Sequence, residues 1–268
     1  MIRVNIAGSS DPDVIRLAVA ACALAGTTLP GLTAVRASAP IFRGPFGSGS
    51  GAVWLLAPQS HPRSVVVFLH GWKVAPPSPS YPWVGQFRPW LDHLVADGSA
   101  VLFPAYQTGG DAQGPARVAA LRRGLEEGFS RLAYPGLPVV AAGYSYGASL
   151  AFYYGANARR WHLPPPAAVD AVFPAGLIPG AELPELPSRI QVLIEVGDQD
   201  TIAGRGGADA FWSWLSARPE ARQRLVVVHS SAGFAAVHAA PKLSTTPARR
   251  AFWRPLDALI AHAKEPGA

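Results

Sequence analysis

From Pro40 onward, short apolar runs alternate along the chain with longer amphipathic segments. The apolar runs are rich in β-branched residues and show no polar alternation, which is typical of strands covered on both faces of a parallel sheet. This pattern predicts strands at residues 52–58, 64–70, 99–105, 137–143, 168–174, 189–197 and 223–230. Helical periodicity predicts helices at residues 83–98, 116–133, 148–155, 206–217 and 247–263.

This order of elements predicts an α/β fold with a doubly wound, mostly parallel sheet and helices on both faces. The first two strands are joined too tightly for a crossover helix, so we expect them to be antiparallel at one edge. One helix, one strand and a Pro-rich loop fill the interval between residues 145 and 200, so no separate lid domain is expected. We predict a single domain over residues 40–268.

Residues 1–39 follow a different pattern. Arg3 and Arg16 precede an apolar stretch, and small residues follow it near Ala37 and Ala39. This order is typical of a bacterial export signal and predicts a secreted or periplasmic protein. The alternative is a flexible or helical N-terminal extension on a cytoplasmic protein. The rest of the sequence has no apolar run of about 18 residues, so no stable membrane anchor is expected.

Composition narrows the possible functions. Hydrophobic residues make up 49% of the chain and charged residues 15%, which suits a large core. The formal net charge is +6, but the basic residues are dispersed and form no stripe, so no nucleic-acid partner is expected. Cys22 is the only cysteine, which excludes an intramolecular disulfide. The glycine-rich run at residues 46–52 precedes a strand, so it is interpreted as a turn and not as a dinucleotide site.

The run Gly143-Tyr144-Ser145-Tyr146-Gly147 lies between a predicted strand and a predicted helix. This is the setting of a nucleophile elbow, in which a serine sits on a tight turn at a helix N-terminus. The free N–H groups there favour developing negative charge, and the N–H of Tyr146 would face an oxyanion. The alternative is a glycine-rich turn with a capping serine.

A serine nucleophile needs a base and an orienting acid, on loops that follow later strands in the order serine, acid, histidine. Asp198 and Asp200 both follow the predicted strand 189–197. His229 ends the last predicted strand on a pattern that suggests burial, and His238 lies in the loop beyond it. The loop position favours His238, whereas the position of the two aspartates alone leaves the acid open.

Two local runs resemble bacterial polyester hydrolases and cutinases. Asp200-Thr201-Ile202-Ala203 is similar to their D-[ST]-I-A run, and residues 236–241 are similar to their A-x-H-x-A-P run. The resemblance extends to the aromatic-Trp pair Phe252-Trp253 in the closing helix. It implies that Asp200 is the acid and His238 the base of a catalytic triad with Ser145.

The run His70-Gly71-Trp72 follows the predicted strand at 64–70. In similar enzymes the residue after this glycine donates an N–H to the oxyanion, so the resemblance implies Trp72 as the partner of Tyr146. His70 is interpreted as a residue that organises the loop. From Ser64 to Ala263 the chain resembles the α/β-hydrolase superfamily of serine esterases, nearest its dienelactone-hydrolase and polyester-hydrolase branch.

The resemblance implies a serine ester hydrolase that acts on small or polymeric esters. Because no lid domain fits, the sequence predicts an open site suited to short- to medium-chain acyl esters. No cluster has metal-ligand spacing, so no metal or other cofactor is expected. Trp72, Tyr144 and Tyr146 are predicted to line an open, shallow substrate site, with Trp83 as a further wall. An acyltransferase or peptidase with the same triad is an alternative. A catalytically inactive binding protein of the same fold is another.

Overall fold

The computed structural model describes residues 40–73, 83–107, 114–217, 219 and 222–265. The predicted signal segment, residues 1–39, lies outside these described residues. The described residues belong to one compact unit that spans Ser38–Ala268. They form a sheet of eight strands: β1 (Ile41–Phe46), β2 (Val53–Ala57), β3 (Ser64–Leu69), β4 (Ser99–Pro104), β5 (Val139–Tyr144), β6 (Ala168–Val172), β7 (Gln191–Gly197) and β8 (Gln223–Val228).

The strands lie in the order β1-β2-β4-β3-β5-β6-β7-β8. Strands β3 to β8 run parallel to one another. Strand β2 is antiparallel to β4, and β1 is antiparallel to β2. The predicted doubly wound, mostly parallel sheet is therefore confirmed. Because the carboxyl ends of β3, β5, β6, β7 and β8 meet at one edge, the loops that carry the candidate residues converge there.

Helices cover both faces of this sheet, as predicted. They are α1 (Arg88–Ala96), α2 (Gly114–Ser130), α3 (Tyr146–Asn157), α4 (Gly206–Trp214), α5 (Thr246–Ala248) and α6 (Arg254–Ala263). A π-helical turn, Arg249–Trp253, joins α5 to α6, and the 3-10 turns are Gly49–Gly51, Trp83–Phe87 and Ala240–Lys242. Helices α1 and α6 bury their apolar side chains on one face, and α2, α3 and α4 bury theirs on the other. Strand β4 serves both cores, since Val101 and Phe103 face the first and Leu102 the second.

Two details of the antiparallel edge differ from the prediction. Strand β2 does run opposite to β3, but β4 lies between them, and β2 is not at the edge. The edge strand is β1, which the hydrophobic pattern missed because its four central residues are exposed. The glycine-rich run at 46–52 includes the 3-10 turn that connects β1 to β2, so it does not precede a helix.

Two acidic side chains lie buried in the sheet without a counterion among the described residues. Asp170 on β6 and Glu195 on β7 are 0% and 1% exposed. Asp170 pairs in register with Leu193, so Glu195, two residues further along, lies on the same face. Burial raises the pKa of Asp170 to about 8, and it raises that of Glu195 well above its ordinary value. The pair therefore retains a proton at neutral pH.

The segment between β6 and β7, residues 173–190, contains neither a helix nor a strand. It packs against the core through Ile178 and Leu186, both buried. This part of the chain therefore does not form a separate lid domain, in agreement with the prediction. None of the helices in the described ranges is long and apolar enough to cross a membrane.

Candidate active site

Ser145 occupies a single-residue turn between β5 and α3, with φ 58° and ψ −123°. A non-glycine residue rarely adopts a positive φ, and such strain is typical of a nucleophile elbow. The turn is tight enough to require both flanking glycines. A Cβ at Gly143 would lie 2.3 Å from the Gly147 carbonyl oxygen, and one at Gly147 would lie 2.2 Å from that of Leu69. The structure thus presents Ser145 where helix, strand and neighbouring loop approach most closely.

The structure brings Ser145, His238 and Asp200 into one hydrogen-bonded chain. His238 Nε2 lies 3.0 Å from Ser145 Oγ, and His238 Nδ1 lies 2.8 Å from Asp200 Oδ2. A carboxylate accepts hydrogen bonds, so Asp200 favours the tautomer with the proton on Nδ1. His238 Nε2 is then free to accept the hydroxyl proton of Ser145. This is the geometry that a general base and its orienting acid require.

Asp200 is held in place by its own loop. Its Oδ1 accepts hydrogen bonds from the backbone N–H of Ile202 at 2.8 Å and of Ala203 at 3.2 Å. Its side chain is fully buried, and that of His238 is 11% exposed. The D-T-I-A run therefore fixes the carboxylate orientation, because residues two and three positions further on supply the donors.

The alternative acid and base contact each other and not Ser145. His229 Nδ1 lies 3.4 Å from Asp198 Oδ2. Asp198 also accepts hydrogen bonds from the backbone N–H and the hydroxyl of Ser230, which lower its pKa. The expected burial of His229 is wrong, because this residue follows the end of β8 and its side chain is 77% exposed. Among the described residues, His238 is the histidine in contact with Ser145 Oγ.

Tyr144 lies behind the candidate base. Its side chain is only 3% exposed, and its hydroxyl donates a hydrogen bond to the His238 carbonyl oxygen at 2.7 Å. Its ring also contacts the His238 imidazole at a centroid distance of 4.9 Å. The predicted substrate wall therefore does not include Tyr144, which positions the base loop. Trp83 is not a wall either, since it is 4% exposed and packs on His70.

The loop after β3 lies against the elbow. A Cβ at Gly71 would lie 2.8 Å from the Tyr144 ring and 3.3 Å from the Ser145 Cβ, so only glycine allows this approach. His70 is fully buried, with Nδ1 2.6 Å from the Gly71 oxygen and Nε2 2.8 Å from the Ala105 oxygen. Burial lowers its pKa to about 4, so the imidazole is neutral at pH 7 and donates from only one of the two ring nitrogens. These contacts agree with its predicted role as an organiser of the loop.

Trp72 follows Gly71, and Tyr146 follows Ser145, so both lie next to the contact between these two loops. Their backbone N–H groups donate no hydrogen bond to another described residue, as expected for donors that await an oxyanion. The indole of Trp72 is 49% exposed. The guanidinium carbon of Arg117 lies 5.6 Å from the Trp72 ring and 4.9 Å from the Tyr146 ring. The exposed ring of Trp72 is therefore placed where it can line an open site, whereas the Tyr146 ring packs against the second core and its hydroxyl is buried.

The described residues contain one group of metal-ligand type, at a different place in the fold. His93 on α1 lies 3.0 Å from Asp257 on α6 and 3.5 Å from Asp97. Both contacts are ion pairs when the imidazole is protonated, which explains the cluster without a metal. It has no side chain in common with the Ser145 site.

Sequence reasoning missed three side chains around His238 and Tyr144. The Phe173 ring centre lies 5.9 Å from that of His238, and the Lys242 ammonium, which interacts with that of Lys73, lies 5.1 Å from the centre of the Tyr144 ring. Phe173 has φ 56°, which no local pattern predicted. For the lysines the available signal was rarity, since the chain has only three.

No protein-family model and no curated protein sequence matches the chain. Solved structures do match. An α/β-hydrolase enzyme from a Medee basin deep-sea metagenome library superposes with a TM-score of 0.61 and 13% identity, covering 84% of this chain and 98% of the other. This chain has the α/β-hydrolase fold.

Esterase B from Lactobacillus rhamnosis, inhibited by a tributyrin phosphonate, is similar in structure, with a TM-score of 0.63 and 13% identity. The match covers 94% of this chain and 93% of the other.

A bacterial heroin esterase is also similar, with a TM-score of 0.60 and 16% identity over 94% of this chain and 91% of the other. At these identities, the similarity establishes the α/β-hydrolase fold. The chemistry of this chain depends on its own site residues.

Proposed function

We propose that this chain is a serine carboxylester hydrolase that cleaves short- to medium-chain acyl esters through an acyl-enzyme on Ser145. The observation that carries the proposal is the continuous hydrogen-bonded path from Asp200 through His238 to Ser145, at 2.8 Å and 3.0 Å. The similar solved structures include enzymes described as esterases, which is consistent with it.

In the first half-reaction, Ser145 Oγ attacks the ester carbonyl carbon while His238 Nε2 takes the hydroxyl proton. The carbonyl oxygen becomes an oxyanion, which the N–H groups of Trp72 and Tyr146 would stabilise. The intermediate collapses as His238 returns the proton to the leaving alkoxide, which departs as the alcohol. Asp200 stabilises the imidazolium that exists in between.

In the second half-reaction, water attacks the acyl-enzyme while His238 again accepts a proton. Collapse of this second intermediate releases the carboxylic acid and returns the proton to Ser145 Oγ. An alcohol or amine in place of water would give acyl transfer by the same steps. Water is the proposed nucleophile because the exposed indole of Trp72 indicates a site open to solvent.

The test is labelling with a fluorophosphonate probe, which reacts only with an activated serine. We expect wild type to be labelled at Ser145 and Ser145→Ala to be unlabelled, with hydrolysis of p-nitrophenyl butyrate falling by about 10⁶-fold in the variant. Ser149→Ala is the matched control, because Ser149 is buried one helical turn further along α3. An unlabelled but folded wild type would favour an inactive binding protein.

Because residues 200–203 and 236–241 resemble polyester hydrolases, an emulsified aliphatic polyester belongs among the substrates tested.

A further inference from the structure

Two lysine side chains meet next to Tyr144, the residue before the candidate nucleophile. The chain contains three lysines, Lys73, Lys242 and Lys264. Lys73 lies in the loop after β3, and Lys242 lies in the 3-10 turn that follows His238. Although they are far apart in sequence, their ammonium groups are within interaction distance of each other. Two of the three lysines therefore converge on one place.

Lys73 is held in a defined position by two glutamine side chains. Its backbone N–H donates to Gln107 Oε1 at 3.2 Å, and its carbonyl oxygen accepts from Gln107 Nε2 at 2.6 Å. Its ammonium donates to Gln86 Oε1 at 2.5 Å. These contacts orient the ammonium group but leave its charge uncompensated, because an amide is neutral.

Lys242 is placed by the same tyrosine that supports the base. Its ammonium lies 5.1 Å from the centre of the Tyr144 ring, a cation–π contact. The Tyr144 hydroxyl in turn donates to the His238 carbonyl oxygen. On the other side, Gly71 is two residues before Lys73, and a Cβ at Gly71 would lie 3.3 Å from the Ser145 Cβ. Both lysines are thus tied to the backbone that carries the reacting groups.

Neither ammonium has a carboxylate within ion-pair distance among the described residues. The sequence between Lys73 and Trp83 contains no acidic residue, and Asp111, four positions after Gln107, lies outside the described residues. Both side chains are half-buried. Burial and the neighbouring charge of Lys242 lower the pKa of Lys73 to about 8, and burial lowers that of Lys242. Two like charges held together without a counterion are unfavourable until an anion arrives.

We propose that Lys73 and Lys242 bind an anionic group of the substrate, so that the enzyme prefers esters carrying a carboxylate in the acyl or the alcohol part. This inference rests on the proposed ester hydrolysis at Ser145. The lysine pair is a specificity determinant, because it contacts a part of the substrate that does not react. A neutral ester would leave the two charges uncompensated.

The experiment compares matched pairs of esters that differ in one charge. For the acyl part, p-nitrophenyl hydrogen glutarate is compared with p-nitrophenyl pentanoate. For the alcohol part, 3-acetoxybenzoate is compared with its methyl ester. Spontaneous hydrolysis is subtracted in each case. In wild type we expect kcat/KM to be about tenfold higher for the anionic member of at least one pair, the size typical of a hydrogen bond to a charged group. Raising the salt concentration should reduce this advantage.

In the double variant Lys73→Met/Lys242→Met, the ratio of anionic to neutral kcat/KM should fall about tenfold or more. The ratio is measured within each protein, so a general loss of activity does not affect it. Lys73→Arg/Lys242→Arg should keep the preference, and Lys264→Met should leave both the ratio and the activity as in wild type.

The lysine proposal is overturned if wild type hydrolyses the neutral esters but shows no preference in either pair. It is also overturned if the double methionine variant keeps the wild-type ratio. If none of the four esters is hydrolysed faster by wild type than by Ser145→Ala, the proposed ester hydrolysis itself is wrong. The two failures are therefore distinguishable.

Discussion

The Tyr144 hydroxyl donates a hydrogen bond to the backbone carbonyl oxygen of His238 at 2.7 Å, joining the residue before the nucleophile to the residue that carries the base. The bond spans 94 positions of sequence. It connects the end of β5, which precedes the serine, with the loop after β8, which carries the histidine. Small displacements of either would lengthen the Ser145–His238 contact, so Tyr144 acts as a positioning residue.

Tyr144→Phe should therefore lower kcat by about five- to tenfold with little change in KM, since a hydrogen bond of this kind contributes about 1 kcal/mol. Steady-state kinetics with p-nitrophenyl butyrate measures both constants. Tyr154→Phe is the matched control, because Tyr154 is also buried and its hydroxyl donates to the Pro164 carbonyl oxygen, away from the base loop. Equal losses in the two variants would argue against a positioning role.

The choice between the two aspartates can be tested directly. Asp200→Asn should reduce kcat by about 10⁴-fold, because an amide no longer favours the His238 tautomer that accepts the serine proton. Asp198→Asn should retain most of the activity, since Asp198 contacts Ser230 and His229. Circular dichroism of both variants controls for folding. The reverse order of effects would mean that Asp198 is the acid.

The two histidines give an independent comparison. His238→Ala should remove nearly all activity, because Ser145 Oγ then lacks the acceptor at 3.0 Å. His229→Ala should change kcat/KM by less than about twofold, because its exposed side chain contacts Asp198. Fluorophosphonate labelling rates of the two variants provide a second readout. A severe loss in His229→Ala would contradict the assignment.

The preference for acyl chain length follows from the open site. Each methylene contributes about 0.8 kcal/mol only while it is removed from water. Trp72 is half-exposed, and residues 173–190 form no lid domain, so this gain should end after a few carbons. We expect kcat/KM for p-nitrophenyl esters to peak between about two and eight acyl carbons, without activation at an oil–water interface. A maximum at palmitate, or a rate increase once droplets form, would indicate a lipase.

The buried acid pair predicts how stability depends on pH. Burial raises the pKa of Asp170 from 3.8 to about 8 in the folded protein. Between these pH values the folded protein binds more protons than the unfolded chain. The contribution of Asp170 to the free energy of unfolding therefore falls as the pH rises. Asp170→Asn removes this titration, whereas burial keeps the pKa of the neighbouring Glu195 raised in both proteins. The free energy of unfolding of the variant minus that of wild type should therefore increase between about pH 5 and about pH 8. The increase should be up to about 1.4 kcal/mol per pH unit.

Chemical denaturation of both proteins across this range measures the difference. The lowered pKa of His70 reduces the stability of the folded protein as the pH falls towards about 4. Because His70 is present in both proteins, this effect cancels in the difference between them. Asp92→Asn is the control, because Asp92 is surface-exposed in an ion pair with Arg88. A constant difference between Asp170→Asn and wild type would show that Asp170 is ionised in the folded state.

Local sequence patterns were sufficient to predict the fold class and the position of the candidate nucleophile. Both depend on local signals. Apolar runs without alternation identified the strands of a covered sheet, and Gly143 and Gly147 flank Ser145 where strand meets helix. These signals are strong because the conformation they describe involves neighbouring residues. The loop position of His238 followed from the same order of elements.

Features that depend on residues distant in sequence became clear only from the three-dimensional structure. Strand β4 separates β2 from β3, and the exposed β1 forms the edge, because strand pairing is chosen by long-range burial that a local pattern does not encode. From the residues alone Asp198 and Asp200 were equivalent, and only the resemblance favoured Asp200.

The structure separates the two aspartates because the loops after β7 and β8 pair Asp198 with His229 and Asp200 with His238. The convergence of Lys73 and Lys242 has the same origin. Residues 169 positions apart meet only when the sheet brings the carboxyl ends of its parallel strands to one edge.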